Sequence, residues 1–201
     1  LIQKLQGGTG LSGNLAWLQQ CDYSYLENGL LSKINSDALT GSQRALLDCP
    51  IALPTPVNPS TSSLDDKDLF YLELAYHVPF TGTSAISQKN GNVTGIKWQV
   101  RGREKQGFSL QYDLYNRLTN ADYFDENSNQ VIDESGIYDV ALTYDERGNI
   151  KTLSRYGLTP TENCYEEILI DQLDYTYADS NHLALVKDAA PCPENKYIKL
   201  I

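Results

Sequence analysis

Apolar and polar residues alternate along this chain in short runs bounded by Gly, Asn and Asp, a period of two that predicts β-strands and hairpins rather than helices. One pattern recurs four times, over Tyr23 to Ile34, Leu110 to Ala121, Leu142 to Leu153 and Tyr175 to Val186. In each copy a tyrosine (Tyr25, Tyr112, Tyr144, Tyr177) stands four residues before Gly29, Asn116, Gly148 or Asn181. Gly and Asn are the residues that most easily adopt positive φ in a tight turn. An apolar residue lies two before each tyrosine, another two after each turn residue (Leu31, Leu118, Ile150, Leu183) and a third five after it (Ile34, Ala121, Leu153, Val186). Each copy therefore predicts strand, turn, strand. The last two offsets have opposite parity, so the returning strand either bulges or buries part of both faces. A degenerate fifth copy at Asn90 to Trp98 keeps Gly91, Val93 and Ile96 but has Ser87 where the tyrosine is expected.

Tyr112, Tyr144 and Tyr177 are spaced by 32 and 33 residues, a period at which each unit must stack on its neighbours to bury a face. Between the repeats, Cys49 to Leu64 carries four prolines and reads as an excursion loop inserted at about 49–64, within a single segment covering 1–201. Asp65 to Tyr76 resumes a strand pattern, Ser42 to Leu47 suits one helical turn, and Gly7-Gly8 reads as a flexible turn. The expected fold class is all-β with very little helix.

Composition narrows the function. With 26 acidic against 16 basic residues the net charge is -10, and the basic residues are scattered, which argues against nucleic acid and anionic membrane surfaces as partners. No run approaches the length of a bilayer span, and no basic-then-apolar signal segment opens the chain. Tyrosine (14) outnumbers phenylalanine (4), as suits half-buried strand positions with the hydroxyl in water. Methionine is absent, and the abrupt start suggests an internal piece of a longer polypeptide. The four cysteines, Cys21, Cys49, Cys164 and Cys192, lack zinc-type spacing. They are compatible with two disulfides, for which the local pairs Cys21/Cys49 and Cys164/Cys192, each 28 residues apart, are the preferred of three connectivities; buried free thiols in a reduced compartment are the equal alternative.

The repeated residues resemble the Rhs/YD-repeat family, whose repeat reads roughly Tyr-Asp-x-x-Gly-Arg-Leu-Thr. Tyr112-Asp113 with Asn116-Arg117-Leu118-Thr119, and Tyr144-Asp145 with Gly148-Asn149-Ile150, are close to it, and the order of segments is similar to that of Rhs proteins of Bacteroidetes. Leu26 and Ala178 depart from it by replacing the repeat aspartate. The resemblance implies a strip of β-hairpins coiling into a hollow shell or solenoid-like assembly, carried by large secreted or cell-surface proteins and often enclosing a C-terminal toxin domain. It implies as partners neighbouring repeats of the same chain or other copies of it. Related shells in insecticidal toxin complexes and teneurin adhesion receptors imply an alternative, an adhesive module binding glycans or neighbouring cells. Many Rhs proteins cleave themselves at Asp-Pro motifs; this chain has no Asp-Pro, so no self-cleavage is expected within it.

Catalytic residues are not expected. His77 and His182 have no second ligand-type residue at a recognisable spacing, and no nucleophile elbow, phosphate loop or zinc-protease motif occurs. The one metal candidate is calcium at Asp125, Asn127, Asn129 and Asp133, where oxygen ligands alternate as in an EF-hand loop. Gln130 stands where that loop needs Gly, and Gly136 where it needs a bidentate Glu.

Overall fold

The structure is a computed structural model describing residues 2–9, 15–35, 68–126, 132–133, 136–161, 165–179 and 181–191. The insertion at 49–64 and the helical turn at 42–47 lie outside these residues. Twelve strands form one antiparallel sheet: β1 (Ile2–Thr9), β2 (Leu15–Tyr25), β3 (Leu31–Ile34), β4 (Phe70–Ala75), β5 (Gly95–Val100), β6 (Lys105–Tyr112), β7 (Leu118–Glu126), β8 (Ile132–Asp133), β9 (Val140–Tyr144), β10 (Ile150–Pro160), β11 (Tyr165–Tyr177) and β12 (Leu183–Asp188). Eleven follow one another in chain order, β8 pairs only with β7, and the sheet stays open between edges β1 and β12. No helix occurs among the described residues, and so none long and apolar enough to cross a membrane. Gly7 and Gly8 lie within β1, correcting the flexible-turn expectation; the register shift between Gln6 and Gly7 is where the glycines serve.

The parity conflict is resolved by a bulge in each of the four full copies. Each turn tyrosine faces the apolar residue two after the turn (Tyr25↔Leu31, Tyr112↔Leu118, Tyr144↔Ile150, Tyr177↔Leu183), and one residue is then skipped before pairing resumes. The register that follows sets the first and last apolar positions opposite each other: Tyr23↔Ile34, Leu110↔Ala121, Leu142↔Leu153 and Tyr175↔Val186. Opposed residues share a face, so these apolar pairs all project to one face of the sheet. Its middle carries an aromatic row in which Trp98 meets Phe108 tilted (5.9 Å between centroids), and Phe108 meets Tyr123 (5.5 Å) and Tyr123 meets Tyr138 (5.0 Å) edge-on.

The other face holds charge. Lys33, Glu73, Lys97, Gly107 and Phe124 lie opposite one another across β3, β4, β5, β6 and β7. Gly107 has no side chain, so Lys97 reaches past β6 to Glu126 (2.9 Å) while also meeting Glu73 (3.4 Å). Lys33 closes on Glu73 at 3.2 Å and Lys105 on Glu126 at 3.3 Å, completing an alternating row of three cations and two anions. Burial alone would penalise these charges, and the alternation is what makes the row tolerable. Phe80 from the β4–β5 connection lies over it, 4.5 Å from the Lys97 ammonium and edge-on to fully buried Phe124 (6.0 Å).

Candidate functional site

The tyrosine-bearing turns line one margin of the sheet, and their geometry is the most repeated chemistry of the chain. Gly29, Gly91, Asn116, Gly148 and Asn181 all have positive φ, from 61° to 89°. The residue after each tyrosine donates its amide across the turn: Leu26 to Leu30 (2.8 Å), Asp113 to Arg117 (2.9 Å), Asp145 to Asn149 (2.9 Å) and Ala178 to His182 (2.8 Å). Where that residue is aspartate, its carboxylate ties the loop again. Asp113 Oδ1 accepts from the amides of Tyr115 (2.8 Å) and Arg117 (3.0 Å), and Asp145 Oδ1 from Arg147 (2.9 Å) and Asn149 (2.8 Å). In the first copy, with Leu26 in that place, Asn28 Oδ1 accepts from Leu30 (3.2 Å) instead. Such Asx bonds satisfy loop amides that the ladder leaves unpaired.

The carboxyls respond accordingly. At Asp113 desolvation pulls upward, but the Arg117 amide and guanidinium and the Tyr115 amide outweigh it and hold the group below its usual value. At Asp145 the Asn149 side-chain bond leads the same downward shift, with the Asn149 and Arg147 amides behind it.

Neighbouring turns are linked through the tyrosines. The hydroxyl of Tyr144 donates to the carbonyl of Leu118 (2.7 Å), that of Tyr177 to Ile150 (2.9 Å) and that of Tyr112 to Val93 (2.8 Å). Each acceptor lies two residues after the turn residue of the preceding hairpin. A fourth rung corrects the sequence alignment: the tyrosine of the degenerate copy is Tyr76, whose hydroxyl donates to Leu31 (2.9 Å). Leu74 faces Ile96 and Ala75 faces Gly95, the same register as in the full copies. Ser87 instead bonds the His77 carbonyl (2.5 Å) within the inserted connection. The Leu-x-Tyr echo of Leu74-Glu-Tyr76 with Leu110-Gln-Tyr112 is the signal that could have found it.

Side chains flanking the turn residues strengthen the links. Arg117 binds its own Asp113 (2.6 Å), reaches the Asp145 carbonyl of the next turn (3.3 Å) and lies 4.5 Å from the centroid of the Tyr144 ring. Asn149 Nδ2 donates to Asn181 Oδ1 (3.1 Å), Arg147 reaches the Asp179 carbonyl (3.4 Å), and Asn90 Nδ2 donates to Asn116 Oδ1.

Of the other sequence candidates, Asp125, Asp133, Cys21, His77 and His182 are among the described residues. Asp125 is buried and accepts the Tyr123 hydroxyl (2.8 Å); burial first, then the Asp125 charge, raises the Tyr123 phenol well above its ordinary value. The backbone of Asp133 lies opposite Asp125, while Asn127 and Asn129 lie outside the described residues. Among the described residues no three His, Cys, Asp or Glu side chains gather as a metal site. Cys21 on β2 has a free thiol, and Cys49, Cys164 and Cys192 lie outside the described residues. His77 is exposed with Nδ1 3.3 Å from the Gln88 carbonyl, and His182 is exposed beside its turn. No protein-family model and no curated protein matches the chain.

Proposed function

We propose that this chain is a non-enzymatic structural segment of a large secreted or cell-surface protein of the Rhs/YD-repeat type, a strip of β-hairpins within a shell or extracellular filament. The observation that carries the reading is the row of four tyrosine hydroxyls, each bonded to the same backbone position of the preceding hairpin. Such a row fixes hairpin to hairpin without regard to what either carries, a task of scaffolding rather than of catalysis. The chemistry along this margin is likewise structural: carboxylates, amides and guanidinium are spent on turns and on adjacent turns. Its partners on this reading are neighbouring repeats of the same long chain, other copies of it, or an enclosed C-terminal toxin domain, and it requires no cofactor.

Electron cryo-microscopy of the full-length parent particle tests this. A continuous sheet of hairpins around a closed cavity supports a shell, and a stack of sheets supports a filament; a parent in which these residues form an isolated sheet with no neighbouring hairpins defeats the reading. The adhesive alternative has its own observation: Leu114 (100% exposed) and Tyr115 (79%) project from the tip of the Tyr112 turn. Saturable binding of the chain on a glycan array, lost in Tyr115→Ser, would favour adhesion.

A further inference from the structure

Two turns carry an Asn-Gly pair, Asn28-Gly29 and Asn90-Gly91. In such a pair the glycine nitrogen can approach and attack the asparagine side-chain carbonyl carbon, because the second residue has no side chain to stand in the way. Space around both glycines is open: a Cβ at either would meet nothing within 4 Å. The nucleophiles differ. In three of the full copies the turn is closed by the amide of the turn residue: Gly29 donates to Leu26 (2.9 Å), Asn116 to Asp113 (3.0 Å) and Gly148 to Asp145 (3.1 Å). The corresponding acceptor for Gly91 is the Gln88 carbonyl, which faces His77 Nδ1 instead, at 3.3 Å. The connection that displaced the tyrosine of this hairpin has also left its turn open, and the Gly91 amide donates to no acceptor among the described residues.

The electrophile is prepared in the same turn. Asn90 Oδ1 accepts the Asn92 amide (3.0 Å), so a donor already sits where negative charge develops as the carbonyl carbon is attacked. Asn28 Oδ1 has a like donor in Leu30 (3.2 Å), which leaves the bonded state of the glycine amide as the distinction between the two pairs. Asn90 and Gly91 are both exposed, so water reaches them. The leaving nitrogen, Asn90 Nδ2, is the donor to Asn116 Oδ1 and to Gln88 Oε1 (3.4 Å).

We propose that Asn90 is a site of spontaneous covalent modification, at which the Asn90-Gly91 pair closes to a succinimide and reopens as aspartate or isoaspartate, uncoupling this turn from the Asn116 turn. The Gly91 nitrogen forms a bond to Asn90 Cγ and loses its proton, the Cγ–Nδ2 bond breaks, and Nδ2 leaves with that proton as ammonia. Water then adds to one of the two ring carbonyls and cleaves that carbonyl's bond to the Gly91 nitrogen, so no oxidant or cofactor enters. The product presents a carboxylate to Asn116 Oδ1 where an amide donor stood, and it adds one negative charge to a chain whose net charge is already -10.

Incubation of the whole folded chain at mildly alkaline pH, followed by tryptic peptide mapping with fragmentation, reads both sites in one sample: Asn90 falls in the peptide 90–97 and Asn28 in the peptide 5–33. Each conversion is scored by the mass gained when the side-chain amino group becomes hydroxyl. In the folded chain Asn90 is expected to convert at least about threefold faster than Asn28, whose glycine amide must first give up a hydrogen bond. In urea, where neither turn persists, the two rates are expected to converge. No conversion at Asn90, conversion at Asn28 as fast as at Asn90, or an Asn90 advantage undiminished in urea overturns the proposal. Uncoupling is read on Asn90→Asp, which supplies the product directly: amide exchange at Asn116 is expected to rise roughly threefold to tenfold, the worth of one hydrogen bond. Asn28→Asp, which keeps an acceptor for the Leu30 amide, is expected to leave that exchange unchanged. Equal exchange at Asn116 in Asn90→Asp and in the unsubstituted chain overturns the uncoupling.

Discussion

Gly148 holds φ at +89° with nothing nearer to a notional Cβ than the Arg117 Nη1 atom at 3.9 Å, so the position is open in space but closed to most side chains by its backbone. Gly148→Val is expected to cost about 1–3 kcal/mol in urea unfolding. Gly148→Asn should lose much less, because Asn116 and Asn181 already hold the equivalent conformation at φ 63° and 61°; an unchanged midpoint for the valine variant would refute the turn assignment. The glycines of the sheet interior behave oppositely. A Cβ at Gly107 would collide with the Phe124 ring and the backbone oxygen of Ile96, whereas one at Gly95 collides with the Phe80 ring at 2.7 Å and meets the Phe108 backbone oxygen at an ordinary 3.5 Å. Phe80 belongs to a connection that can shift, while Phe124 and Ile96 belong to paired strands. Gly107→Ala is therefore expected to be the more damaging, by about 1–3 kcal/mol relative to Gly95→Ala, the usual range for overpacking.

The tyrosine rungs belong to the scale of the hairpin. Tyr144→Phe removes the donor to Leu118 but keeps the ring under Arg117, so a loss of about 0.5–1.5 kcal/mol is expected, with hydrogen exchange rising at the Tyr144 and Asn116 turns together. Protection lost at one turn alone would show that the rung does not couple neighbours. The four complete hairpins were legible in the sequence because each depends on residues within a dozen positions of one another: a tyrosine, a Gly or Asn, and apolar offsets. Even the bulge was implied by the parity conflict, although only the register decided it against two-faced burial. The fifth hairpin was misaligned on Ser87 because a connection separates Tyr76 from Gly91 and breaks the fixed spacing. The ion row was not legible at all. Lys33, Glu73, Lys97 and Glu126 meet only through the pairing of strands remote in sequence, and Lys97 reaches Glu126 only across Gly107. No local pattern records that geometry.

At the scale of the whole sheet, pH probes the two kinds of contact separately. Burial favours the neutral form of Glu73, but the Tyr71 hydroxyl and the Lys97 and Lys33 ammoniums outweigh it, so its carboxyl sits below the usual range, as do those of Asp113 and Asp145. A carboxyl with a depressed folded value contributes stability that is present above its unfolded pKa of about 4 and is lost as pH falls through the folded one. The phenols of Tyr112, Tyr123, Tyr138, Tyr144 and Tyr175 are shifted the other way, burial being the leading cause for each. A raised phenol contributes stability that is complete below the unfolded value of about 10 and disappears as pH rises through the folded one. The melting midpoint is therefore expected to be flat between about pH 5 and 9 and to fall on both sides. The acid limb reports the ion row and the turn carboxylates, and the alkaline limb the tyrosines. Glu73→Gln should flatten part of the acid limb and leave the alkaline limb in place, because it removes a titrating carboxyl of the ion row, while the phenol it meets, Tyr71, can still donate to the glutamine side-chain oxygen. Thermal melts of both proteins across the pH series decide it: if Glu73→Gln moves the alkaline limb, or leaves the acid limb as steep as before, the division of labour between the charged face and the tyrosine margin is wrong.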